Sequence, residues 1–185
     1  MSSRVLFVTN GHGEAAIAER IALELITFAP ATRIDHLALV GNISSDGMRD
    51  VGPRQPMPSG GLIAMGNVRN LAKDLAAGLL SLTLSQARFL RRARGAYDVA
   101  VAVGDAFALL MTLLAGARTI FVGTAKSIKV APYGAFETSL LRRTAACFVR
   151  DEATADALCA SYFGIGAKEA EFHDGHYGTG LATRP

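Results

Sequence analysis

Short, almost continuously apolar segments alternate along this chain with longer segments of helical period. A segment that is apolar at nearly every position fits a strand buried on both faces, as in a parallel sheet covered by helices. The alternation therefore predicts an α/β fold, a doubly wound parallel sheet in a Rossmann-like three-layer sandwich. The predicted strands span residues 4–8, 34–40, 98–103, 119–122 and 146–149, and the predicted helices span 15–28, 67–94, 106–115, 136–143 and 151–162.

Two of these helices carry marked apolar faces. In the first, Ile17, Ile21, Leu25 and Phe28 recur at spacings of three and four residues and form one apolar face. The long helix has a stripe of leucines that two more leucines widen: Leu71, Leu75, Leu79 and Leu82, with Leu80 and Leu84. It ends in arginines, so it fits either a helix buried in the core or a face that contacts acyl chains and anionic head groups at a membrane surface.

Composition bounds the class of protein. The chain has 185 residues, half of them hydrophobic, which is typical of a globular domain and excludes a disordered chain. We expect one domain over residues 1–163 and a polar, glycine-rich, poorly ordered tail over 164–185. The net charge of +3 is too small to predict nucleic-acid binding, and two cysteines cannot form a disulfide framework or a four-thiolate metal site.

No targeting or membrane-spanning segment is predicted. The apolar run at residues 5–8 is too short for the core of a signal peptide, and no small-residue cleavage site follows it. The most apolar stretch, residues 99–117, is interrupted by Gly104 and Asp105, and a carboxylate at that depth in a bilayer is costly. The sequence predicts a cytoplasmic protein.

The first strand runs into a glycine turn formed by Asn10, Gly11, His12, Gly13 and Glu14. Gly11 and Gly13, with an alanine three residues on, nominally match a dinucleotide fingerprint, but Glu14 in the first helical turn would repel a pyrophosphate. No acidic residue ends the second strand, so nicotinamide or flavin binding is disfavoured and no cofactor is predicted. Two interpretations stay open: a turn that approaches a neutral, hydroxyl-rich ligand, or a tight turn with a helix-capping glutamate.

Polar residues also follow the third and fourth predicted strands. Asp105 fits a general base or an acceptor for a substrate hydroxyl, and equally an N-cap of the next helix; these roles are compatible. Lys126 and Lys129, with Thr124 and Ser127 as hydrogen-bonding groups, fit a phosphate contact or a solvated loop. Glu137 fits a partner of the helix dipole.

The remaining candidates are structural. His173, Asp174 and His176 resemble a short metal cluster but lack further ligands, so no metal site is predicted. Cys147 reads as a core residue and Asp151 as a helix cap.

Six motifs occur in order along residues 4–160: residues 8–14 (VTNGHGE), 57–61 (MPSGG), 103–105 (VGD), 121–127 (FVGTAKS), 132–134 (PYG) and 149–151 (VRD). Together they resemble the N-terminal half of the lipid-A-disaccharide synthase-related proteins. The resemblance implies an acceptor-binding domain of a GT-B glycosyltransferase, whose nucleotide-sugar donor would need a second domain.

By this resemblance Asp105 takes the place of a catalytic base. We expect substrate-binding positions, as the resemblance implies, at Asn10, Gly11, His12, Gly13, Glu14, Ser59, Gly60, Gly61, Thr124, Lys126, Ser127 and Tyr133. The long loop over residues 41–66 holds one of the motifs, as expected of a functional loop.

The implied partners are a sugar or glycolipid acceptor and an anionic membrane surface at the inner membrane. No nucleic-acid partner is expected. The chain by itself is expected to lack hexosyltransferase activity. The alternative is a non-enzymatic Rossmann-like module that binds a ligand or a second copy of itself. A third candidate function, that of an oxidoreductase, is supported only by the glycine fingerprint.

Overall fold

The computed structural model of the protein describes residues 3–41, 46–54, 78–124, 126–163, 172–173 and 179–183. The helices within them are α1 (His12–Phe28), α2 (Leu79–Arg92), α3 (Ala106–Leu113), α4 (Ala135–Leu141) and α5 (Glu152–Phe163). The strands are β1 (Arg4–Thr9), β2 (Arg33–Ala38), β3 (Arg49–Asp50), β4 (Val99–Gly104), β5 (Arg118–Gly123), β6 (Ala146–Val149), β7 (Phe172–His173) and β8 (Thr179–Thr183). The predicted elements coincide with these to within a few residues, except the long helix. It begins only at Leu79, because Gly78 before it has a left-handed backbone with φ of +86°, and residues 67–77 lie outside the described residues.

All eight strands form one sheet in the order β3-β2-β1-β4-β5-β6-β8-β7. Strands β1 to β6 pair in parallel, and β8 pairs antiparallel with both β6 and β7. The last two strands lie in the segment 164–185, which its composition predicts to be poorly ordered. There β8 pairs with the backbone groups at the open edge of β6.

Helices cover both faces of the sheet. Along β1, Leu6 and Val8 pack with α2 and α3, whereas Phe7 packs with Ala18 and Ala22 of α1 on the opposite face. This alternation confirms the predicted doubly wound, Rossmann-like three-layer sandwich.

The buried face of α1 differs from the expected one. It consists of three alanines: Ala15, Ala18 and Ala22. Ile17, Ile21 and Phe28 lie on the exposed side, and Phe28 is 84% exposed; of the four predicted residues only Leu25 packs against the core. Small side chains let a helix approach its neighbour closely, so the alanine stripe packs against the sheet in preference to the larger residues.

A buried carboxylate in β2 holds the short edge strand β3 to the sheet through an ion pair. Asp35 accepts hydrogen bonds from Arg49 Nε at 2.9 Å and Arg49 Nη2 at 2.8 Å, and from the Tyr97 hydroxyl at 2.8 Å. Burial opposes ionisation of Asp35, but the hydrogen bonds from Arg49 and Tyr97 outweigh it, and the pKa of the carboxyl falls below its ordinary value. The ion pair therefore ties together segments that are remote in the sequence.

The neighbouring His36 is fully buried. Its Nε2 lies 2.9 Å from the Thr9 hydroxyl, and its Nδ1 lies 3.5 Å from Asp50 Oδ1. Burial, helped by the positive charge of Arg54, lowers the pKa of His36. Thr9 and His36 therefore link β1 to β2 inside the core.

Candidate functional site

The strand order reverses direction between β1 and β4, because the chain builds the sheet outward from β1 through β2 to β3 and then restarts at β4. In open α/β sheets, ligands bind beyond the carboxyl ends of the strands at such a switch point. Two of the predicted site segments, residues 10–14 after β1 and Gly104–Asp105 at the end of β4, meet at this edge.

Gly104 is the point at which these loops touch. Its φ of +138° is a conformation that favours glycine, and a Cβ placed there would lie 3.0 Å from Asn10 Oδ1 and 3.3 Å from Glu14 Cγ. The backbone N–H of Thr124 donates to the Gly104 carbonyl at 3.1 Å, and the Thr124 hydroxyl donates to Glu14 Oε1 at 3.4 Å. Asn10, Glu14, Gly104 and Thr124 thus form one contact group, the switch-point cluster.

The glycine turn itself is open to solvent. Gly11 is the N-cap of α1 in extended backbone, and the Glu14 carboxylate folds back against its Cα. His12 and Gly13 are exposed, and nothing lies within 4 Å of the position of a Cβ on Gly13. The turn therefore leaves its outer side accessible to a ligand.

Asp105 caps α3, as one of its two predicted roles required. Its Oδ1 accepts hydrogen bonds from the backbone N–H groups of Phe107 and Ala108, both at 3.0 Å. Its other carboxylate oxygen accepts no hydrogen bond from the part of the chain that the structure describes. One oxygen is therefore fixed by the helix, and the other is not paired by any residue that the structure describes.

Asp105 borders a cleft of about 330 Å³ at the carboxyl ends of β4 and β5, here called the carboxyl-edge cleft. Its floor is apolar, with the nearly fully buried side chains of Leu109, Phe121 and Leu141. The other lining residues are Gly104, Ala106, Gly123, Lys126, Val130, Ala131, Tyr133 and Glu137. The apolar floor could not be predicted from the sequence, because the pattern around these residues indicates only core positions of two helices and a strand.

A compact ionic group lies at the same cleft. Lys126 Nζ donates to Glu137 Oε2 at 2.6 Å and lies 4.9 Å from the centre of the Tyr133 ring. The same Glu137 oxygen accepts the backbone N–H of Gly134 at 2.7 Å, which agrees with its predicted place in the first turn of α4. The ammonium of Lys126, which was predicted to contact a phosphate, is therefore already paired with Glu137.

Ser127 belongs to a second network, away from the cleft lining. Its hydroxyl oxygen accepts from Lys129 N at 3.2 Å and lies 3.4 Å from Thr154 Oγ1. Asp151 Oδ1 accepts from the backbone N–H of Thr154 at 3.0 Å, so its predicted capping role is confirmed. A hydrogen bond from Ser127 is the first cause of the lowered pKa of Asp151. The Ser127 hydroxyl thus anchors its loop to α5.

The other candidates divide as follows. Ser59, Gly60 and Gly61 lie outside the described residues, as do Asp174 and His176. Cys147 packs against the core as predicted, and burial raises the pKa of its thiol to about 12.

Within the described ranges, no group of three or more His, Cys, Asp or Glu residues could hold a metal ion, and no helix there has the length and hydropathy to cross a bilayer.

The fold and the site define the class: a Rossmann-like α/β domain with a partly apolar cleft at the carboxyl edge of its parallel sheet. The sequence matches no known family model. It also matches no curated protein. Among solved structures it is similar to MurG of Acinetobacter baumannii, at 15% identity and a TM-score of 0.47 over 82% of this chain. The chain spans 42% of the length of that MurG chain.

Proposed function

We propose that this chain is the acceptor-binding domain of a GT-B-type glycosyltransferase related to the lipid-A-disaccharide synthase-related proteins. The observation that carries the proposal is the available carboxylate oxygen of Asp105 beside the carboxyl-edge cleft. A nucleotide-sugar donor would be held by a second domain. The ordered motifs of the sequence support the same proposal independently.

In the proposed reaction a hydroxyl of the acceptor attacks the anomeric carbon of the donor while the diphosphate leaves. A base must take the proton of that hydroxyl, and a carboxylate held in position by backbone N–H groups serves this purpose. Asp105 is the proposed base, since the hydrogen bonds to its Oδ1 orient the side chain and leave Oδ2 for the hydroxyl. The turn over residues 10–14 is the proposed positioning element for the acceptor sugar.

The form of the cleft favours an amphiphilic acceptor. Leu109, Phe121 and Leu141 offer an apolar floor, while Asp105 lies at the polar side of the same cleft. A ligand with a sugar head and a hydrocarbon portion would place both parts in matching surroundings.

This proposal predicts that the chain binds n-octyl β-D-glucoside below its micelle concentration, measured by calorimetry, and that Asp105→Asn weakens binding. The amide oxygen of Asn can still accept from Phe107 and Ala108, but its NH₂ group replaces the available carboxylate oxygen. Loss of a charge-assisted hydrogen bond corresponds to roughly 10- to 100-fold in affinity.

The matched control is Asp98→Asn. Asp98 is exposed and directly precedes β4, at the opposite end of that strand from Asp105. It should leave glucoside binding unchanged. Equal affinity of the Asp105→Asn variant and the original protein would contradict the role of Asp105.

We also propose that the exposed side of α2 meets an anionic membrane. One stripe of this helix, with Leu82 and Leu90, is buried in the core, which agrees with the first interpretation of the helix. Leu80 and Leu84, however, are 64% and 55% exposed. Exposed arginines continue that side of the helix: Arg88, Arg91 and Arg92.

Vesicle flotation tests this contact. Leu84→Asp should reduce recovery with vesicles containing anionic lipid several-fold, because it removes an apolar contact and adds a repelled charge. Leu23→Asp is the matched control, since Leu23 is an exposed leucine of α1 on the other face of the sheet. Equal losses for the two variants, or equal recovery with neutral vesicles, would contradict the membrane contact.

The second candidate function is a non-enzymatic module that pairs with a second copy. It is favoured by the exposed stripe of Ile17, Ile21 and Phe28 on α1. A module of this kind would be dimeric in light scattering at micromolar concentration, and an acceptor domain acting alone would be monomeric.

A further inference from the structure

The carboxyl-edge cleft contains two features that ordinarily attract anions. One is the N-terminus of α3, where free backbone N–H groups and the helix dipole favour negative charge. The other is the ammonium group of Lys126. An acceptor carrying a phosphate would need at least one of them.

The chain's own carboxylates occupy both features. Asp105 Oδ1 accepts the N–H groups of Phe107 and Ala108 at the start of α3. Glu137 Oε2 accepts from Lys126 Nζ at 2.6 Å. Two N–H groups at the start of α3 and the ammonium of Lys126 are thus paired within the protein.

Glu137 is held firmly in this place. The same oxygen that pairs with Lys126 also accepts the N–H of Gly134, at 2.7 Å, so displacing it would uncap α4. The two charged side chains are only 28% and 24% exposed, and Lys126 also lies over the Tyr133 ring. An external anion would have to compete with a partly buried, doubly used carboxylate and approach a second one at Asp105.

We propose that the carboxyl-edge cleft selects an uncharged, hydroxyl-bearing amphiphile and rejects phosphorylated ones, with Asp105 and Glu137 as the specificity-determining residues. This inference rests on the proposed function, because it takes the cleft to be the acceptor site. It narrows the acceptor class from any sugar or glycolipid to those that bring no anionic group to this cleft.

The test compares two probes with the same hydrocarbon chain, n-octyl β-D-glucoside and n-octyl phosphate, by calorimetry on the full chain below micelle concentrations. The original protein should bind the glucoside at least ~10-fold more tightly than the phosphate. In Glu137→Gln the amide oxygen still accepts from Gly134, but the charge of Lys126 is released. That variant should bind octyl phosphate ~10-fold more tightly than the original protein does.

The matched control is Glu152→Gln, because Glu152 is an exposed acidic residue in the first turn of the next helix and is absent from the cleft lining. It should not raise phosphate affinity. Adding Lys126→Met to Glu137→Gln should abolish the gain. Should Glu137→Gln fail to fold, Lys126→Met alone serves as the second variant. It should lower the weak affinity for octyl phosphate further, because Glu137 then lines the cleft without its counter-charge, and a gain in that affinity would overturn the selectivity.

The outcomes separate the two proposals. Equal affinity for both probes in the original protein, with glucoside binding intact, would overturn the selectivity and leave the proposed function standing. A gain in phosphate affinity in Glu152→Gln as large as in Glu137→Gln would also overturn it. Absence of glucoside binding in the original protein would overturn the proposed function and, with it, this inference.

Discussion

Replacing Gly104 by Ala is expected to lower the free energy of unfolding by ~2–4 kcal/mol and to abolish glucoside binding at the carboxyl-edge cleft. The φ of +138° at this position is strained for any residue with a Cβ. The new methyl group would also push against Asn10 Oδ1 and Glu14 Cγ, at 3.0 and 3.3 Å. The backbone of Gly104 pairs with Thr124, so the strain is transmitted to the loop after β5.

Gly13→Ala is the matched control for this prediction. The residue belongs to the same site, in the first turn of α1, but a Cβ there meets nothing within 4 Å. Alanine in a helical position should therefore stabilise the protein slightly, by ~0.5–1 kcal/mol. Urea denaturation measures both changes. If the two variants shift the unfolding midpoint equally, the special conformation of Gly104 does not matter to stability.

Asp35→Ala is expected to have the second large effect, a loss of ~2–4 kcal/mol of stability. The carboxylate is 3% exposed, and its removal leaves the buried Tyr97 hydroxyl without its acceptor. It also releases Arg49, so that β3 loses the ion pair that fastens it to the sheet. Thermal or urea unfolding provides the measurement.

The pH dependence of the same variant follows from the direction of the pKa shift. Because the pKa of Asp35 is lower in the folded protein than in the unfolded chain, its contribution is complete above the unfolded value and is lost as the pH falls through the folded one. The difference between the original protein and Asp35→Ala should therefore be constant near neutrality and shrink below about pH 4.

Two comparisons complete this prediction. Tyr97→Phe keeps the ion pair and loses one hydrogen bond, so it should cost only ~1 kcal/mol. Asp98→Ala removes an exposed carboxylate that accepts from Arg4 N, and its effect should be smaller than that of Asp35→Ala. A loss as large for Asp98 as for Asp35 would show that burial of the ion pair is not what stabilises β3.

Much of the sheet edge could be predicted without coordinates. Parallel strands end at a common edge, so residues that directly follow β1, β4 and β5 must be neighbours there. Asn10, Glu14, Gly104 and Thr124 are in contact for this reason. The capping roles of Asp105 and Asp151 were also local, since a cap bonds to N–H groups two or three residues away.

The packing face of α1 could not be predicted in this way. The helix has two apolar stripes, and hydrophobic period alone gives no preference between Ala18 with Ala22 and Ile17 with Ile21. The distance between helix and sheet decides the matter, and that distance depends on the other segments packed in the same layer.

The amino-acid sequence by itself determined the alternation of strands and helices, most of their ends to within a few residues, and the polar residues at the carboxyl edge, because all of these depend on near neighbours in the chain. Only the tertiary structure decided that Lys126 pairs with Glu137, that Asp35 holds Arg49 and Tyr97, and that Leu109, Phe121 and Leu141 form the floor of one cleft. These contacts join residues that are 11 or more positions apart in the chain, and they form only after the sheet and its helices have packed.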